Sequence, residues 1–416
     1  MFTFLADLVR TADGHAPTAF MAFFAYVWAV WGLKALAARR YRPCAAPTGG
    51  RTASVLVPVY QEPEALFRRA LASVRAERPA ELIAVIDGGD PDLADIASEY
   101  CDRVLRVPKG GKRAAIAAGL AVSDPRTDVV VVLDSDTVWR PGTLTELLRP
   151  FADPRVGGVT PRQAIFDVGH DPVRRLADWI EDLRYLLTVP AQSVFGQVGC
   201  LAGRTIAYRR VAFEPAVTRL VRQTVLGLPQ HVGDDRVLTN ELLRTGWRTV
   251  YQSTALVETD APANWRTFWR QQLRWGRSSQ RETLLSLPWL WRRPAAFVSF
   301  AADIVTPFAL YAVTALAVAR GLGGGIDRTS LPAALEVPLA YFGMLAGIGI
   351  RQIPHFRRRP ADLRRLPLFV LQLTFVMVPI RILAFATMLH QSWSTRPAPH
   401  PSEVPREAAC AESAHL

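Results

Sequence analysis

The sequence predicts an open, mostly parallel α/β sheet domain joined to transmembrane and interfacial α-helices. Strand-like and helix-like stretches alternate between residues 51 and 263, which is typical of such a sheet. Four apolar stretches outside that region are long enough to enter a bilayer. The apolar fraction is 50% and the mean hydropathy is +0.12, although 21% of the residues are charged. Membrane segments attached to a soluble domain explain that combination.

Length and cysteine usage set the division of the chain. A chain of 416 residues is too long for one core, so we expect two or three units. The predicted units are a first transmembrane helix with its basic flank at 1–50, the sheet domain at 51–263, interfacial helices at 264–294, C-terminal transmembrane helices at 295–392 and a disordered tail at 393–416. The 4 cysteines form no CxxC pair and no zinc-like spacing with histidine. This argues against a disulfide framework or a structural zinc.

The first apolar stretch predicts a transmembrane helix at residues 17–38, because 17–33 is uncharged and Lys34 can extend toward the interface. A cleaved signal peptide is the alternative, but Asp7 and Asp13 precede the stretch and a basic start is missing. The flank that follows carries only basic charges, at Lys34, Arg39, Arg40, Arg42 and Arg51. By the positive-inside rule, the N-terminus is outside and the sheet domain is cytoplasmic.

Three further apolar stretches lie near the C-terminus, at residues 297–319, 331–350 and 366–389. Residues 351–365 between the last two contain six arginines and one aspartate, which predicts a cytoplasmic loop. Charged residues occur inside the stretches, at Asp303, Glu336 and Arg381. Such residues usually face a protein interior or an aqueous path, or else lie near the interface, which we favour for Glu336.

The net charge of +12 permits a nucleic acid or an anionic lipid as partner. The arginines concentrate in the flanks of the apolar stretches, where they match anionic lipid on the cytoplasmic face. We therefore expect the lipid bilayer, and no nucleic acid, among the partners.

The sheet domain begins with predicted strands at residues 53–58, 82–86, 104–107 and 129–133, and predicted helices lie between them at 64–76, 93–100 and 112–122. In open α/β sheets, ligands bind at the carboxyl ends of the strands. Polar residues follow all four strands: Tyr60 and Glu62, Asp87 and Asp90, Lys109 and Lys112, and Asp134 and Asp136. The sequence therefore predicts one shared pocket at this edge.

Lysine is rare in this chain, yet two of its three lysines are Lys109 and Lys112 in the stretch VPKGGKRAA. Lysine is a compact point charge suited to phosphate oxygens, and the two intervening glycines let the backbone approach a ligand closely. The alternative is a turn with solvated charges. The stretch is not a Walker loop, because Arg106 stands where the first glycine belongs and Arg113 where Ser or Thr belongs.

Asp134 and Asp136 place two carboxylates beyond a buried strand. Neighbouring carboxylates repel each other unless a cation lies between them. Mg²⁺ or Mn²⁺ binds one or two carboxylates and completes its shell with phosphate oxygens and water. An Asp-x-Asp sequence alone is equally consistent with a polar turn or a helix cap, but lysines and Asp87 at the same edge favour a metal and a diphosphate.

The ordered set VLVPVYQEP, VIDGGD, KGGKR, DSD, GCLAGR, GDDRVLTNELLRTGW and QQLRW resembles the processive, membrane-embedded family-2 glycosyltransferases. Within them it is most similar to hyaluronan synthases and nodulation-type N-acetylglucosaminyltransferases, and more loosely to cellulose and chitin synthases. The resemblance covers residues 53–395. It implies a nucleotide-sugar-binding sheet domain of the glycosyltransferase A type, a UDP-sugar donor, a glycan acceptor and Mg²⁺ or Mn²⁺.

The resemblance also implies a role for each residue that matches a family motif. The nucleoside would be held by Tyr60, Glu62 and Asp87, the diphosphate by Lys112, the donor by Asp134 and the metal by Asp136. The sugar and acceptor pocket would be lined by Cys200, Gly203, Arg204 and Asp234, and Gln271, Arg274 and Trp275 would close the diphosphate side. Asp235 would be the catalytic base; its alternative is an exposed acid that caps the helix predicted at 237–243.

Two amphipathic stretches predict interfacial helices. Helical spacing places Gln271, Arg274, Trp275 and Ser278 on one face, and apolar residues 284–291 lead into the next membrane segment. A second stripe consists of Val173, Leu176, Ile180, Leu183 and Leu187. That stripe either lies on the bilayer or packs in the core against the sheet, and both alternatives remain open.

The predicted activity is inverting transfer of a sugar to a growing glycan that is exported through the membrane helices. Such a transfer needs a base and a neutralised diphosphate but no covalent nucleophile. A single addition to a lipid or small acceptor and an inactive membrane scaffold or transport component are the alternatives. The donor sugar and the oligomeric state stay open.

The resemblance conflicts with one predicted span. SWSTR at residues 392–396 is similar to an element that the family keeps in the cytoplasm, whereas three C-terminal spans would place it outside. Either residues 366–389 are re-entrant or one of the predicted spans is wrong.

Overall fold

The computed structural model describes residues 16–262, 264–322 and 345–390 of the chain. Ten strands occur in these ranges: β1 (Ala53–Val59), β2 (Glu81–Asp87), β3 (Arg103–Val107), β4 (Val129–Leu133), β5 (Thr137–Trp139), β6 (Val156–Ile165), β7 (Thr205–Arg209), β8 (Thr224–Val225), β9 (Leu228–Pro229) and β10 (Arg248–Thr259). The first four agree with the predicted strands to within about two residues at each end, a usual margin for element boundaries.

Eight of these strands form one sheet in the order β3-β2-β1-β4-β7-β6-β10-β5, and β8 pairs only with β9. Strands β1 to β4 are parallel, as are β6 and β10. Strand β7 runs antiparallel between β4 and β6, and β5 runs antiparallel at the edge. The predicted fold class, an open and mostly parallel α/β sheet, is confirmed.

Helices connect the strands and cover both faces of the sheet. They are α2 (Glu64–Ala76), α3 (Pro91–Ser98), α4 (Gly111–Val122), α5 (Thr143–Leu148), α6 (Pro172–Leu183), α7 (Val189–Val194), α8 (Arg210–Arg222) and α9 (Asp234–Arg244), preceded by the N-terminal α1 (Ala16–Arg40). One face packs Phe67 and Leu71 of α2 against the sheet, and the other packs Ile116 of α4 and Phe213 of α8. Two apolar faces explain why β4 is the uninterrupted run VVVVL.

The C-terminal part consists of α10 (Trp265–Leu290), α11 (Pro294–Leu322), a helical stretch at 345–350, α12 (Ile353–Arg358), α13 (Leu366–Gln372) and α14 (Val378–Ala386). A single π-turn, Leu373–Met377, joins α13 to α14. Within the described residues, three helices are long and apolar enough to cross a membrane: Met21–Arg40, Pro294–Val313 and Pro360–Ala386. Most of the predicted span at 331–350, SWSTR and the tail lie outside the described residues.

The second amphipathic stripe packs inside the protein. Val173 and Leu176 of α6 are buried in a cluster with Phe369 of α13 and Ile380 of α14. Trp179 stacks on Phe369, with ring centroids 4.0 Å apart, and on His355 of α12 at 4.4 Å. Of the two alternatives for this stripe, core packing is therefore the observed one, and its main partners are the C-terminal helices.

A buried polar network fastens the same helices together. His355 is 1% exposed and places its two ring nitrogens 2.9 Å from Asp182 and 3.2 Å from Asp362. Arg175 of α6 also pairs with Asp362 at 2.9 Å. Because buried charges need partners, this network fixes α6 against the segment at 351–365.

Candidate active site

The carboxyl ends of β1 to β4 carry the polar residues that the sequence places at one edge. The four strands are parallel neighbours, so Asp87 at the end of β2 and Tyr60, Lys112 and Asp134 beyond the ends of their strands lie on that edge. Lys112 lies in the first turn of α4, which starts at Gly111. The predicted convergence on one edge of the sheet is therefore present.

Lys112 is the centre of the charged cluster. Its ammonium lies 2.6 Å from Oδ1 of Asp134 and 3.0 Å from Oδ2 of Asp234. Burial by itself lowers the pKa of Lys112, but the attraction of Asp134 and Asp234 is larger and holds the pKa above its usual value. A Cβ on Gly203 would stand 3.3 Å from the ammonium, so the loop before β7 leaves little room beside Lys112.

The Gly-Asp-Asp sequence starts α9 and brings both acids to this cluster. Gly233 has φ +83°, a left-handed conformation that favours glycine. A Cβ on Gly233 would also come within 2.8 Å of the Ser278 Cβ on α10. Glycine thus allows the sharp turn into α9 and its close approach to the helix that carries the QxxRW motif.

The pKa values of the two adjacent acids are shifted in opposite directions. Burial raises the pKa of Asp235 and the charge of Asp234 raises it further, against the opposing effect of Lys112. For Asp234, burial also raises the pKa, but the direct contact with Lys112 outweighs it and the net shift is downward. An acid with a raised pKa is a better proton acceptor when ionised, so Asp235 suits a base more than Asp234 does.

Asp235 faces the loop at residues 199–203. Its Oδ2 accepts a hydrogen bond from the Gly203 N–H at 3.3 Å and lies 3.8 Å from the Cys200 sulfur. Its Oδ1 accepts from the Arg236 N–H at 2.7 Å, which is a contact of the capping kind. The geometry combines the two alternatives for Asp235, because one oxygen braces the helix start and the other faces the loop.

Asp87 has a well-defined structural contact. It is 6% exposed and accepts hydrogen bonds from the backbone N–H groups of Gly110 and Gly111, at 2.7 and 3.0 Å. The carboxylate therefore fixes the loop that presents Lys112. Contact with a nucleoside stays a prediction for this residue.

Tyr60 lies beside the loop that carries Lys109, and Glu62 lies beside the turn that carries Asp134 and Asp136. The Lys109 ammonium is 5.0 Å from the centre of the Tyr60 ring. Glu62 accepts a hydrogen bond from Ser135 at 2.8 Å, and Ser135 separates Asp134 from Asp136. Glu62 therefore orients the Asp-Ser-Asp turn, and its predicted contact with a nucleoside stays a prediction.

Arg204 links the cluster to the QxxRW helix. Its guanidinium lies 5.7 Å from the ring centre of Trp275 and pairs with Glu181 of α6 at 2.7 Å. Trp275 lies on α10, with Arg274 next to it and Gln271 one turn earlier. Asp136 is near enough to stabilise the charged form of Arg204. Contacts thus join Lys112 to Asp134 and Asp234, Asp235 to Cys200 and Gly203, and Arg204 to Trp275, while the roles of all the predicted residues stay predictions.

The carboxylates fit a divalent metal that shares its shell with a ligand. Asp134 is engaged with Lys112, whereas Asp136 has a contact of 3.3 Å with the Thr137 hydroxyl. Among the described residues, no group of three or more His, Cys, Asp or Glu side chains forms a metal cage. One carboxylate plus phosphate oxygens and water is the donor set that Mg²⁺ and Mn²⁺ accept.

Sequence reasoning missed three charged residues of the site. Glu181 and Arg184 come from the segment interpreted only by its apolar stripe, and Arg236 follows the Gly-Asp-Asp sequence directly. Arg184 donates to the Cys200 carbonyl and Arg236 to the Gly199 carbonyl. Arg236 could have been found because it directly follows Asp235. Nothing in the local sequence distinguishes Arg184 or Glu181 from charged residues that are exposed to solvent.

The chain is similar to known glycosyltransferases. The sequence matches the family described as "Glycosyltransferase like family 2" from residue 50 to residue 278. This stretch is longer than half of the chain and includes every predicted site residue.

Curated relatives align over most of the chain. A hyaluronan synthase from Streptococcus pyogenes is 29% identical over 357 residues, which cover 82% of this chain and 83% of that protein. N-acetylglucosaminyltransferases from Rhizobium leguminosarum bv. viciae and Azorhizobium caulinodans are each 28% identical. They cover 82% of this chain and 81% and 86% of their own lengths.

A solved structure shares the fold. The mannosyltransferase PcManGT from Pyrobaculum calidifontis, in complex with GDP-Man and Mn²⁺, superposes with a TM-score of 0.63. The match covers 92% of this chain and 99% of that chain at 19% identity. At that identity the likeness concerns the fold.

Proposed function

Because the chain belongs to the glycosyltransferase-like family 2, we propose that it is a membrane-bound, inverting transferase that moves a sugar from a UDP-sugar to a growing polysaccharide or oligosaccharide. The observation that carries this proposal is the cluster around Lys112. One ammonium is held by Asp134 and Asp234, and a third carboxylate, Asp235, has a raised pKa beside them. This arrangement supports the proposal, because a cation suited to phosphate and a carboxylate suited to act as a base lie at the edge where ligands of such sheets bind.

On the donor side, Tyr60, Glu62 and Asp87 border the nucleoside and Lys112 binds the diphosphate. The described ion pairs of Lys112 are with the carboxylates of Asp134 and Asp234. Oxygens of a bound diphosphate would replace or join these carboxylates. Asp136 would hold the Mg²⁺ or Mn²⁺, which supplies positive charge to the diphosphate as it leaves. Asp134 keeps Lys112 oriented toward the donor.

Asp235 is the proposed base. The acceptor hydroxyl oxygen forms a bond to the anomeric carbon of the donor while the bond from that carbon to the diphosphate oxygen breaks. The hydroxyl proton passes to Asp235, and the electron pair of the broken bond leaves with UDP. Lys112 stabilises the negative charge that develops on the leaving group. A positioned base contributes about 10²–10⁴-fold to such a step.

The acceptor binds on the side of Cys200, Gly203, Arg204 and Asp234. Trp275 offers an aromatic surface, and the Arg204 guanidinium lies 5.7 Å from the centre of its ring, within reach of a cation–π interaction. Gln271 and Arg274 extend the same helix toward the diphosphate. The contact of Arg204 with Glu181 supports this assignment, because it prevents Arg204 from moving away from the ring.

The membrane helices support processive elongation coupled to export. Three described helices are long and apolar enough to span a bilayer, and the relatives that cover 82% of the chain include a hyaluronan synthase. We place the protein in the inner (plasma) membrane as a multi-pass enzyme, with its catalytic domain on the cytoplasmic side where UDP-sugars are made. The basic flank after α1 supports that orientation.

The test is transfer by purified protein in lipid nanodiscs, supplied with individual radiolabelled UDP-sugars and Mn²⁺ or Mg²⁺. Long polymer is the expected product, whereas a single addition would support transfer to a lipid or small acceptor. EDTA should abolish transfer. Asp235→Asn should bind UDP with unchanged affinity and lose turnover, and undiminished turnover in Asp235→Asn would contradict the base assignment.

A further inference from the structure

The loop at 199–203 is irregular backbone held almost entirely by side chains. The Gly199 N–H donates to Gln192 at 3.1 Å and the Leu201 N–H to Thr239 at 3.0 Å. The carbonyls of Gly199, Cys200 and Ala202 accept from Arg236, Arg184 and Gln163 at 2.9, 3.1 and 3.0 Å. The last contact is the Gly203 N–H to Asp235. Side chains from several different elements therefore fix the backbone that faces Asp235.

Arg184 reaches this loop because the helix that carries it widens at that point. The turn Arg184–Thr188 is a π-turn inserted between α6 and α7. Such single turns change the direction of side chains and are frequent at functional sites. The Arg184 guanidinium donates to the Cys200 carbonyl, and the sulfur of the same cysteine lies 3.8 Å from Asp235.

We propose that Arg184 is a positioning residue for transfer: it holds the Cys200 carbonyl in place and faces Asp235 with a positive charge that favours the ionised carboxylate. This inference rests on the proposed function, in which Asp235 takes the acceptor proton. Arg184 then has two separable effects, one on loop geometry and one on the charge of the base.

Charged or titratable groups act on Asp235 from several elements, and Arg281 of α10 lies nearby, where it donates to the Val232 carbonyl at 3.1 Å. The groups that act on Asp235 are Asp234 and the Arg236 guanidinium on α9, Lys112 and Arg113 on α4, Cys200 on the loop, Tyr208 on β7 and Arg184 on the π-turn. Burial and Asp234 raise the pKa of Asp235, while Lys112 and Arg184 act in the opposite direction. Removing the charge of Arg184 therefore raises the pKa of Asp235 further.

The experiment compares pH profiles of kcat/KM, which report the ionisation of groups in the free enzyme. The variants are Arg184→Gln, which removes the charge, and Arg184→Lys, which keeps it, in full-length protein in nanodiscs. The acid limb of the profile should move up by about one pH unit in Arg184→Gln. Arg184→Lys should keep the limb of the wild type and recover part of the lost rate.

Gln192→Met is the matched control, because it loosens the same loop without changing any charge. It should lower kcat and leave the acid limb in place. An unmoved limb in Arg184→Gln, or a limb in Arg184→Lys that rises as far as expected for Arg184→Gln, overturns the proposal. If Arg184→Gln does not fold, as judged by its elution and UDP binding, Arg184→Met takes its place as the variant that removes the charge, with the same rise of the acid limb expected and an unmoved limb overturning the proposal.

Failure of this inference is distinct from failure of the proposed function. A wild-type enzyme that transfers sugar, with an inactive Asp235→Asn variant and an unmoved limb in Arg184→Gln, removes only the role of Arg184. Full turnover in Asp235→Asn removes the base itself, whatever the Arg184 variants do.

Discussion

At the scale of single residues, Asp234 and Asp235 have identical side chains but different surroundings. Both are adjacent at the start of α9, but Asp234 contacts the Lys112 ammonium at 3.0 Å and Asp235 contacts a backbone N–H and a thiol. The ammonium lowers the pKa of the first acid, whereas burial and its neighbour raise that of the second. Lysine suits this position because a compact cation can sit between two carboxylates.

This difference predicts opposite effects of pH on two asparagine variants. The pKa of Asp235 in the folded protein lies above its ordinary value of 3.8, so its ionisation opposes folding above that pH and ceases to do so below it. Asp235→Asn should therefore raise the apparent Tm relative to wild type more at pH 7 than at pH 4. Each pKa unit corresponds to about 1.4 kcal/mol and about 2–4 °C.

Asp234→Asn is the matched control at the neighbouring position. The pKa of Asp234 is lowered in the folded protein, so its carboxylate stabilises the fold above pH 3.8 and loses that effect as the pH falls. Asp234→Asn should lower the Tm at pH 7 and lower it less at pH 4. Thermal unfolding in detergent measures both variants, and parallel pH dependences would contradict the assignment.

At the scale of elements, the same local sequence produces both π-turns of the described chain. Arg184–Thr188 and Leu373–Met377 are each followed by Val and then Pro, at Pro190 and Pro379. Proline has no N–H to donate to the carbonyl four residues earlier, and a wider turn accommodates its ring. One of these turns directs Arg184 toward the active site, so a prolyl residue shapes the site without touching it.

The sequence predicts the first half of the sheet better than the second. Strands β1 to β4 are apolar runs because helices cover both of their faces. Strand β6 contains Gly, Pro and the buried Gln163, which holds the Ala202 carbonyl, and β10 contains the buried Gln252, which pairs with the backbone of Cys44. Their polar burial follows from partners distant in sequence, which no local pattern reveals.

The sequence likewise predicts only some of the residues of the candidate site. The residues from Tyr60 to Trp275 were predictable because they occur in an ordered set of motifs. Arg184 was not, because a half-buried arginine that holds a carbonyl looks like a solvated one in the sequence. The orientation of such a side chain depends on the loop it meets, and that loop is fixed only by the whole fold.

The crossing of α10 and α14 depends on a glycine next to Trp275. A Cβ on Gly276 would lie 2.8 Å from the Cβ of Ala384, closer than two such atoms approach. Gly276→Ala should therefore separate the helices, lower the stability by about 1–3 kcal/mol and reduce the transfer rate by displacing Trp275. Thermal unfolding and transfer assays measure the two effects.

The second substitution Ala384→Gly supplies the test of this explanation. It removes the atom that the new methyl group meets, so the double variant should recover stability and rate relative to Gly276→Ala. Gly32→Ala is the control, since no atom lies within 4 Å of the added Cβ. No recovery in the double variant would mean that Gly276 acts through backbone freedom instead of the crossing.

At the scale of the whole molecule, both ends of the last apolar segment contact the catalytic half. At its start, Asp362 pairs with Arg175 of α6, and Phe369 stacks on Trp179. At its end, Thr387 accepts a hydrogen bond from Arg277 of α10. Helices α6 and α10 meet at Arg204, through Glu181 and Trp275. Because the segment returns to the same framework at both ends, we expect it to lie along that framework instead of crossing the bilayer.

These contacts favour the re-entrant alternative for residues 366–389, and we therefore expect this segment to stay on the side of the catalytic domain. The segment 351–365 docks on α6 through Asp182 and Asp178, which pair with Arg358 and Arg359, so it shares the side of the catalytic domain. If α11 crosses outward, the chain must return before residue 351. SWSTR and the tail then lie in the cytoplasm, as the resemblance to the family implies.

Cys410, in the tail, reports the side on which the chain ends. In a variant that keeps only this cysteine, a membrane-impermeant maleimide should label inside-out vesicles and leave right-side-out vesicles unlabelled. Arg357→Cys should behave in the same way, and Asp327→Cys, between the two preceding apolar stretches, should show the opposite pattern. Labelling of Cys410 from outside would show that residues 366–386 cross, and the contacts at Thr387 and Trp179 could not then both form. Cytoplasmic labelling at 357 and 410 together leaves two crossings after the catalytic domain for the export of a glycan.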